Sequence, residues 1–496
     1  MTRTTLRLSL MASFLAAGLS GCVAGPDYRI PEKAVALAPR AKGAFLGSRD
    51  AAYQQAQLPD RWWKLYDDPR IDAYVAEALK ENTDLRAADA NLRRASAAVL
   101  EAQAARTIQT DASASATFAH VGAYTLPGTS LPQTYVLGLN LSYPLDLAGG
   151  IRRGIEAANA DAQAVQSARD QVRVVVAAAV TRSYVEVCSA NQTLSATRRV
   201  LDVQRETLDV TRRLKDGGRG TSFDVSRARA AANESAAAIP DIVADRQAAL
   251  FELTALMGRV PADYPRDLEN CMQPPGLKEP LPTGDGWQLI QRRPDIREAE
   301  RKLAAATATI GIETAQLYPQ VSIGGSAGFA NSFGQLLSAS SFGGMLGPLV
   351  SWNMPNRATV KARIAGAGAG ADAALAGFDG SVLQALKQTE TALSNYSQEL
   401  ERVQSLTQAR DDAAHASEQA NRLFHFGRTG FIDVLTAEAS LANAETALAQ
   451  SRGRLIDRQV DLFLSLGGGW SSVPPDQRRP SNETPAVPST DTASNR

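Results

Sequence analysis

The chain has 496 residues, with 52 acidic and 52 basic side chains and a formal net charge of zero. Its length allows a large core, and its unclustered, balanced charge argues against a nucleic acid or other polyanion as partner. Past the N-terminus no run of eighteen apolar residues occurs, so any membrane crossing must be made by strands.

Residues 1–21 read as an export signal: Arg3 and Arg7 precede an apolar run from Leu8 to Leu19, too short for a spanning helix. The tetrad Leu19-Ser20-Gly21-Cys22 resembles the bacterial lipobox, in which the cysteine becomes the acylated first residue of the mature protein. Each buried methylene of an acyl chain contributes roughly 0.8 kcal/mol, so several chains anchor firmly. Val23 stands where an aspartate would mark inner-membrane retention, which points to the outer membrane. In that oxidising setting Cys188 and Cys271 either pair, if their α-carbons come within roughly 6 Å, or stay buried as free thiols.

An internal repeat organises the rest. The stretch Asn82 to Asp89 (NTDLRAAD) matches Arg293 to Glu300 (RPDIREAE), an offset of 211 residues from Asp84 to Asp295. Gly218 to Val225 (GRGTSFDV) matches Gly427 to Val434 (GRTGFIDV), and Asp245 to Phe251 matches Asp457 to Phe463. Each half therefore runs helix, two short alternating stretches, a very long helix, a glycine turn and another long helix. From Ile151 to Leu214 there is no proline, which permits a helix of about 95 Å. Val180, Val187, Leu194, Leu201 and Leu208 recur every seven residues, and Leu386, Thr389, Leu393, Tyr396, Leu400 and Val403 alternate three and four apart, the spacing of coiled coils.

The alternating stretches carry the membrane argument. Tyr135, Leu137, Leu139, Leu141 and Tyr143 share one face of a strand, opposite Val136, Gly138, Asn140 and Ser142. Ala112 to Phe118, Val321 to Phe329 and Phe342 to Trp352 alternate in the same way. An apolar face rimmed by aromatics against a small polar face is the pattern of an outer-membrane barrel strand. Four strands cannot close a barrel, and open edges are excluded from lipid, so closure is expected between copies, with eight strands in a dimer or twelve in a trimer.

Several segments resemble the efflux outer-membrane lipoproteins, the TolC-like outer-membrane factors of resistance-nodulation-division pumps. They are LSGCVAGPDYRIP, RWWKLYDDPRIDAYVAEALKENTDLRAA, RRPDIREAERKLAAATATIGIETAQLYPQVSIGGSAG and LFLSLGGGW. The resemblance implies a mainly α protein with a membrane β-barrel: a homotrimer with a twelve-stranded barrel in outer-membrane lipid and a helical barrel in the periplasm. It would be a passive conduit for small molecules, fed by an inner-membrane pump through a periplasmic adaptor. The expected division is a signal peptide (1–21), a lipidated segment with equatorial contacts (22–70), a first repeat (71–258), a linker (259–293), a second repeat (294–466) and a disordered polar tail (467–496).

By the same resemblance the turns with Gly218, Arg219, Gly427 and Arg428 would be the periplasmic tips, serving adaptor docking or simply capping the hairpins. One ring of gate acids falls on Asp433, and the position of a second ring is Thr436 here. Three Asp433 carboxylates in a narrow pore would repel one another and attract cations; alternatively Asp433 serves its own helix N-terminus. Enzyme, metal and cofactor functions are not expected. The G-x-S-x-G match at Gly324 to Gly328 lies in an alternating strand where a nucleophile elbow needs a strand-to-helix turn, and the histidines are His120, His415 and His425 alone. The alternatives are a type I protein-secretion conduit and a structural lipoprotein without a lumen.

Overall fold

The structure is a computed structural model and describes residues 23–118, 134–272, 274–277, 280–352 and 357–468. The export signal, Cys22, the loop with His120, the strand-to-helix junction at Asn356 and the tail beyond Gly468 lie outside the described residues.

An N-terminal strap (23–68) carries α1 (Pro39–Lys42) and β1 (Tyr53–Gln54). The first half follows with α2 (Pro69–Glu81), α3 (Thr83–Ala104), β2 (Gln109–Thr117), β3 (Thr134–Leu145), α4 (Gly150–Asp216) and α5 (Ser222–Leu256). After a linker with β4 (Leu281–Pro282) and α6 (Gly286–Arg292) come α7 (Pro294–Ala315), β5 (Gln320–Ser332), β6 (Phe342–Ser351), α8 (Arg357–His425) and α9 (Phe431–Ser465). The duplication is visible in the lengths: α3 and α7 have 22 residues each, α5 and α9 have 35 each.

Local chemistry sets the boundaries. Asp68 and Asn82 cap α2 and α3 by accepting from backbone N–H groups two and three residues on, and Pro69 and Pro294 occupy the first helical turn, where no N–H is needed. Asp146 accepts from the N–H groups of Ile151 (3.0 Å) and Arg152 (2.8 Å) and so starts α4. With 67 residues, α4 runs about 100 Å. The seven-residue series is its buried seam: Val180 and Val187 are fully enclosed, and Leu194, Leu201 and Leu208 are buried as well. Thr389, Leu393 and Tyr396 do the same on α8. Midway along the molecule the strap and the linker wrap the helices around an aromatic core, where Trp62 stacks on Phe463 at 4.8 Å. Cys188 of α4 and Cys271 of the linker are joined there by a disulfide, their α-carbons 4.9 Å apart.

Pairing runs β2-β3-β5-β6, antiparallel throughout, and leaves β2 and β6 as open edges. The register Ala112↔Leu139↔Ala327↔Gly344 puts the apolar sets of all four strands on one face. Aromatic residues rim it: Phe329 lies 5.4 Å from Phe342. Two ends differ from the sequence expectation, since Phe118 and Trp352 lie one residue past their strands. The polar face is also less uniform than expected, because the register places Met345 and Leu349 among Asp111, Asn140 and Ser326. No described helix is long and apolar enough to cross a membrane.

The corresponding helices of the two halves are covered differently. On α7, Leu303, Ala304, Ala308 and Gly311 are buried where α4 and α8 pack against the helix. The same positions on α3 are Leu92, Arg93, Ala97 and Leu100, and they are half-buried or exposed, with Leu100 at 64 %. On α4 the covering face holds Ala160, Ala164 and Ser167, all buried; the matching Ala369, Ala373 and Ala376 of α8 are exposed.

Candidate functional site

Three places hold the residues singled out in the sequence: the open sheet, the two hairpin tips and the junction where strands become helices. At the first tip the chain leaves α4 through Gly217 and Gly218. Gly218 sits at φ +71, where a side chain is strained, while the Arg219 N–H returns to the Leu214 carbonyl at 2.8 Å. At the second tip Gly427 (φ +68) and the Arg428 N–H to Leu423 carbonyl bond (2.9 Å) repeat that closure. Arg219 and Arg428 both point to solvent. The two tips are therefore glycine-closed turns carrying one exposed guanidinium each.

The residues that follow the turns start the return helices. Thr221 accepts from the Asp224 N–H (3.2 Å), and Asp224 accepts from the Thr221 N–H (3.0 Å) and hydroxyl (2.6 Å), a reciprocal cap that holds the Asp224 carboxyl below its usual range. On the second hairpin the Asp433 carboxylate accepts from the Gly430 N–H (3.1 Å) and from the Thr429 hydroxyl. Asp433 is thus engaged at its own helix N-terminus through Oδ2 while remaining solvent-exposed. Thr436, one turn on, is exposed too and donates to the Ile432 carbonyl at 2.9 Å.

Sequence reasoning passed over Glu438, the carboxylate next along this helix. It is 7 % exposed and accepts from the Thr207 hydroxyl of α4 (2.9 and 3.2 Å) and the Asn421 amide of α8 (3.4 Å), so it ties three helices together. Burial raises its pKa, and Glu206 adds to the rise. Glu438 offered no signal in the sequence, because its counterpart in the first half is the exposed Arg229. Higher up, a groove between α4, α5 and α9 gathers Glu186, Asp245, Glu252 and Asp457. Burial and then Asp457 push the Glu186 carboxyl up to about 7.

The strands end on a tight junction. Gly149 (φ +76) joins β3 to α4, and Arg153, 3 % exposed, lies in the first turn of that helix among carbonyls and carboxylates of the strap. No signal in the sequence marked Arg153. The Gly324 to Gly328 segment lies wholly within β5 and is followed by four further strand residues, and His415 and His425 are on α8, far from it in sequence. Among the described residues no group of three or more His, Cys, Asp or Glu is arranged to hold a metal ion.

Comparison with known proteins agrees with this architecture. The sequence profile of the outer membrane efflux protein family matches residues 74–259 and 287–468, the two repeats. The chain is 27 % identical over 478 residues to the probable efflux pump outer membrane protein TtgC of Pseudomonas putida, covering 95 % of this chain and 96 % of that one. It is 26 % identical over 460 residues to Nodulation protein T of Rhizobium leguminosarum bv. trifolii, covering 92 % and 96 %. Among solved structures, the outer-membrane channel OprN superposes with a TM-score of 0.82 at 34 % identity, over 90 % of this chain and 100 % of that one. VceC of Vibrio cholerae superposes with a TM-score of 0.73 at 25 % identity, over 84 % and 100 %. With both repeats matched along most of its length, the chain belongs to the outer membrane efflux protein family.

Proposed function

We propose that three copies of this chain close one conduit through the outer membrane and the periplasm. The protein is the outer-membrane channel component of a tripartite efflux pump, a passive path for small molecules and not an enzyme. The observation that carries this is the open four-stranded sheet, apolar on one face and mostly small and polar on the other, mounted on helices about 100 Å long. In lipid the edges β2 and β6 must pair, and three copies would supply twelve strands around an aqueous lumen.

The exposed faces of α3 and α8 support the same assembly. Within one copy α4 descends from β3 and packs on α7, which leads into β5. If β6 of one copy pairs with β2 of the next, α8 meets the neighbour's α3 in the same relation. The sizes complement each other. Inside the copy, Arg153 of α4 crosses Gly311 of α7, at 2.7 Å from where a Cβ would stand. Between copies the large residues are Arg93 and Leu100 on α3, and the small ones are Ala369 and Ala373 on α8.

Such a conduit takes its driving energy and selectivity from an inner-membrane pump. The tips at Gly218, Arg219, Gly427 and Arg428 are proposed to dock a periplasmic adaptor. Asp433, in a ring of three, is proposed as the narrowest charged point, with Thr436 replacing a second ring. Acylation of Cys22 is supported by the likeness to SilC of Salmonella typhimurium, a probable outer membrane lipoprotein, 27 % identical over 93 % of this chain and 98 % of that one. A scaffold without a lumen is disfavoured because Gly138, Ser142 and Ser326 keep most of the polar face small.

The test is single-channel conductance of the purified trimer in planar bilayers. A small wild-type conductance should rise several-fold in Asp433→Ala, with weaker block by cations. No conductance in either protein, from a verified trimer, would favour the scaffold.

A further inference from the structure

The described chain begins at Val23, one residue after the cysteine read as the acylation site, and its first residues are held with unusual density. The Ala24 N–H donates to the Ala148 carbonyl at 2.9 Å. Arg153 donates from Nε to the Ala24 carbonyl (3.1 Å) and from Nη2 to the Gly25 carbonyl (3.2 Å) and the Asp27 carboxylate (2.7 Å), while Nη1 holds Glu156 (2.7 Å). Gly25, at φ +81, rests on α7 so closely that a Cβ there would stand 2.4 Å from the Gly311 α-carbon. Gly149 receives Val23 in the same manner, at 2.9 Å. Three groups of the terminal segment, two carbonyls and a carboxylate, thus converge on one guanidinium that is 3 % exposed. Burying an arginine is costly unless its donors are satisfied, and here the strap satisfies most of them.

We propose that Arg153 is the positioning residue of the lipid anchor. With Gly149 and Gly311 it forms a socket that holds residues 23–27, the stretch directly after the acylation site, at the foot of the sheet. Val23 directly follows the acylation site in the chain, and it touches Gly149, four positions past the end of β3. The anchor is therefore a rigid part of the channel and not the end of a loose tether. From the socket the strap continues down the second half's helices. Tyr28 donates to Glu300 (3.2 Å), the Val35 N–H to Asp379 (2.8 Å) and the Gly47 N–H to Glu390 (3.0 Å), so the anchor is mechanically joined to α7 and α8.

This rests on the reading of Cys22 as acylated, and the test separates the two. A recognition sequence for a site-specific protease is inserted between Arg29 and Ile30 of the full-length protein, which is purified in detergent and cleaved. Mass spectrometry then follows the Cys22 to Arg29 peptide. In the wild type the acylated peptide should stay on the channel at least ten times longer than in Arg153→Ala, with Arg153→Lys in between. Should Arg153→Ala fail to fold, Gly25→Ala, which leaves α4 intact and cannot seat on Gly311, should lose the peptide as fast. An acylated peptide released equally fast from wild type and variants overturns the socket alone. A peptide without the acyl mass overturns the lipoprotein reading and the anchor's placement with it.

Discussion

Helices α3 and α7 have equal length and equal place in their halves, yet α7 is a core helix and α3 shows the same positions to solvent. Duplication copies the element and its register; it does not copy the neighbour. In the second half α7 is covered by both α4 and α8 of its own chain, whereas in the first half α4 covers one side of α3 and the other side is left bare. The side chains have followed that difference, with Ala308 and Gly311 on α7 where α3 has Ala97 and the larger Leu100. A surface that is covered in one repeat and bare in the other is what the proposed contact between copies would bury.

The largest effect should come from charging the two positions separately. Ala308→Asp buries an unpaired carboxylate inside the protomer and should cost on the order of 3–5 kcal/mol, seen as a collapsed circular-dichroism melt. Leu100→Asp should leave the isolated protomer's helical spectrum unchanged but abolish the trimer in native mass spectrometry. A trimer that survives Leu100→Asp would break the comparison and move the interface elsewhere.

The disulfide sharpens the contrast next. Cys188 bonds Cys271 across 83 residues, while its counterpart in the second half is Ser397. Replacing both cysteines by serine should lower stability by roughly 2–5 kcal/mol in denaturant titrations under oxidising conditions. The midpoint of the wild type should fall similarly with reductant. An unchanged midpoint would mean that the linker is held by its other contacts, such as Asn191 Nδ2 to the Leu268 (2.9 Å) and Cys271 (3.0 Å) carbonyls.

The smallest expected effect is electrostatic. Glu186, on α4 of the first half, lies in the acidic groove, and its counterpart is the neutral Asn395. The folded-state pKa of Glu186, about 7, is above that of a free glutamate, so between these values the folded chain binds more protons than the unfolded one. Its contribution therefore favours folding as pH falls from about 8 to 5 and is lost as pH rises through 7. Glu186→Gln should flatten that slope and stabilise the protein at pH 8 by roughly 1 kcal/mol or less, since solvent screens part of the repulsion. An unaltered slope would assign it to Asp457 or Glu438, whose pKa values burial also raises.

The repeat, the strand faces and the coiled-coil seams were legible because each is periodic. Leu137, Leu139 and Leu141 on one face, or Val180 and Val187 seven apart, carry their direction in their spacing. Asp433 was legible only as half of a choice, since the same carboxylate can cap a helix and face a pore; the structure shows the cap. Arg153 and Glu438 were not legible at all. Each is an ordinary charged residue in a helical stretch, and what sets it apart is a partner more than a hundred residues away, Asp27 for one and Thr207 for the other.

The sequence by itself determined the duplicated order of elements, the length of the helices and the two-faced strands, since these follow from local periodicity and from where proline and glycine fall. Tertiary structure alone decided which of two corresponding helices is covered, whether two distant cysteines meet, and which arginine receives the first described residues. Those outcomes depend on contacts between segments far apart in the chain, and pairing of that kind leaves no period to read.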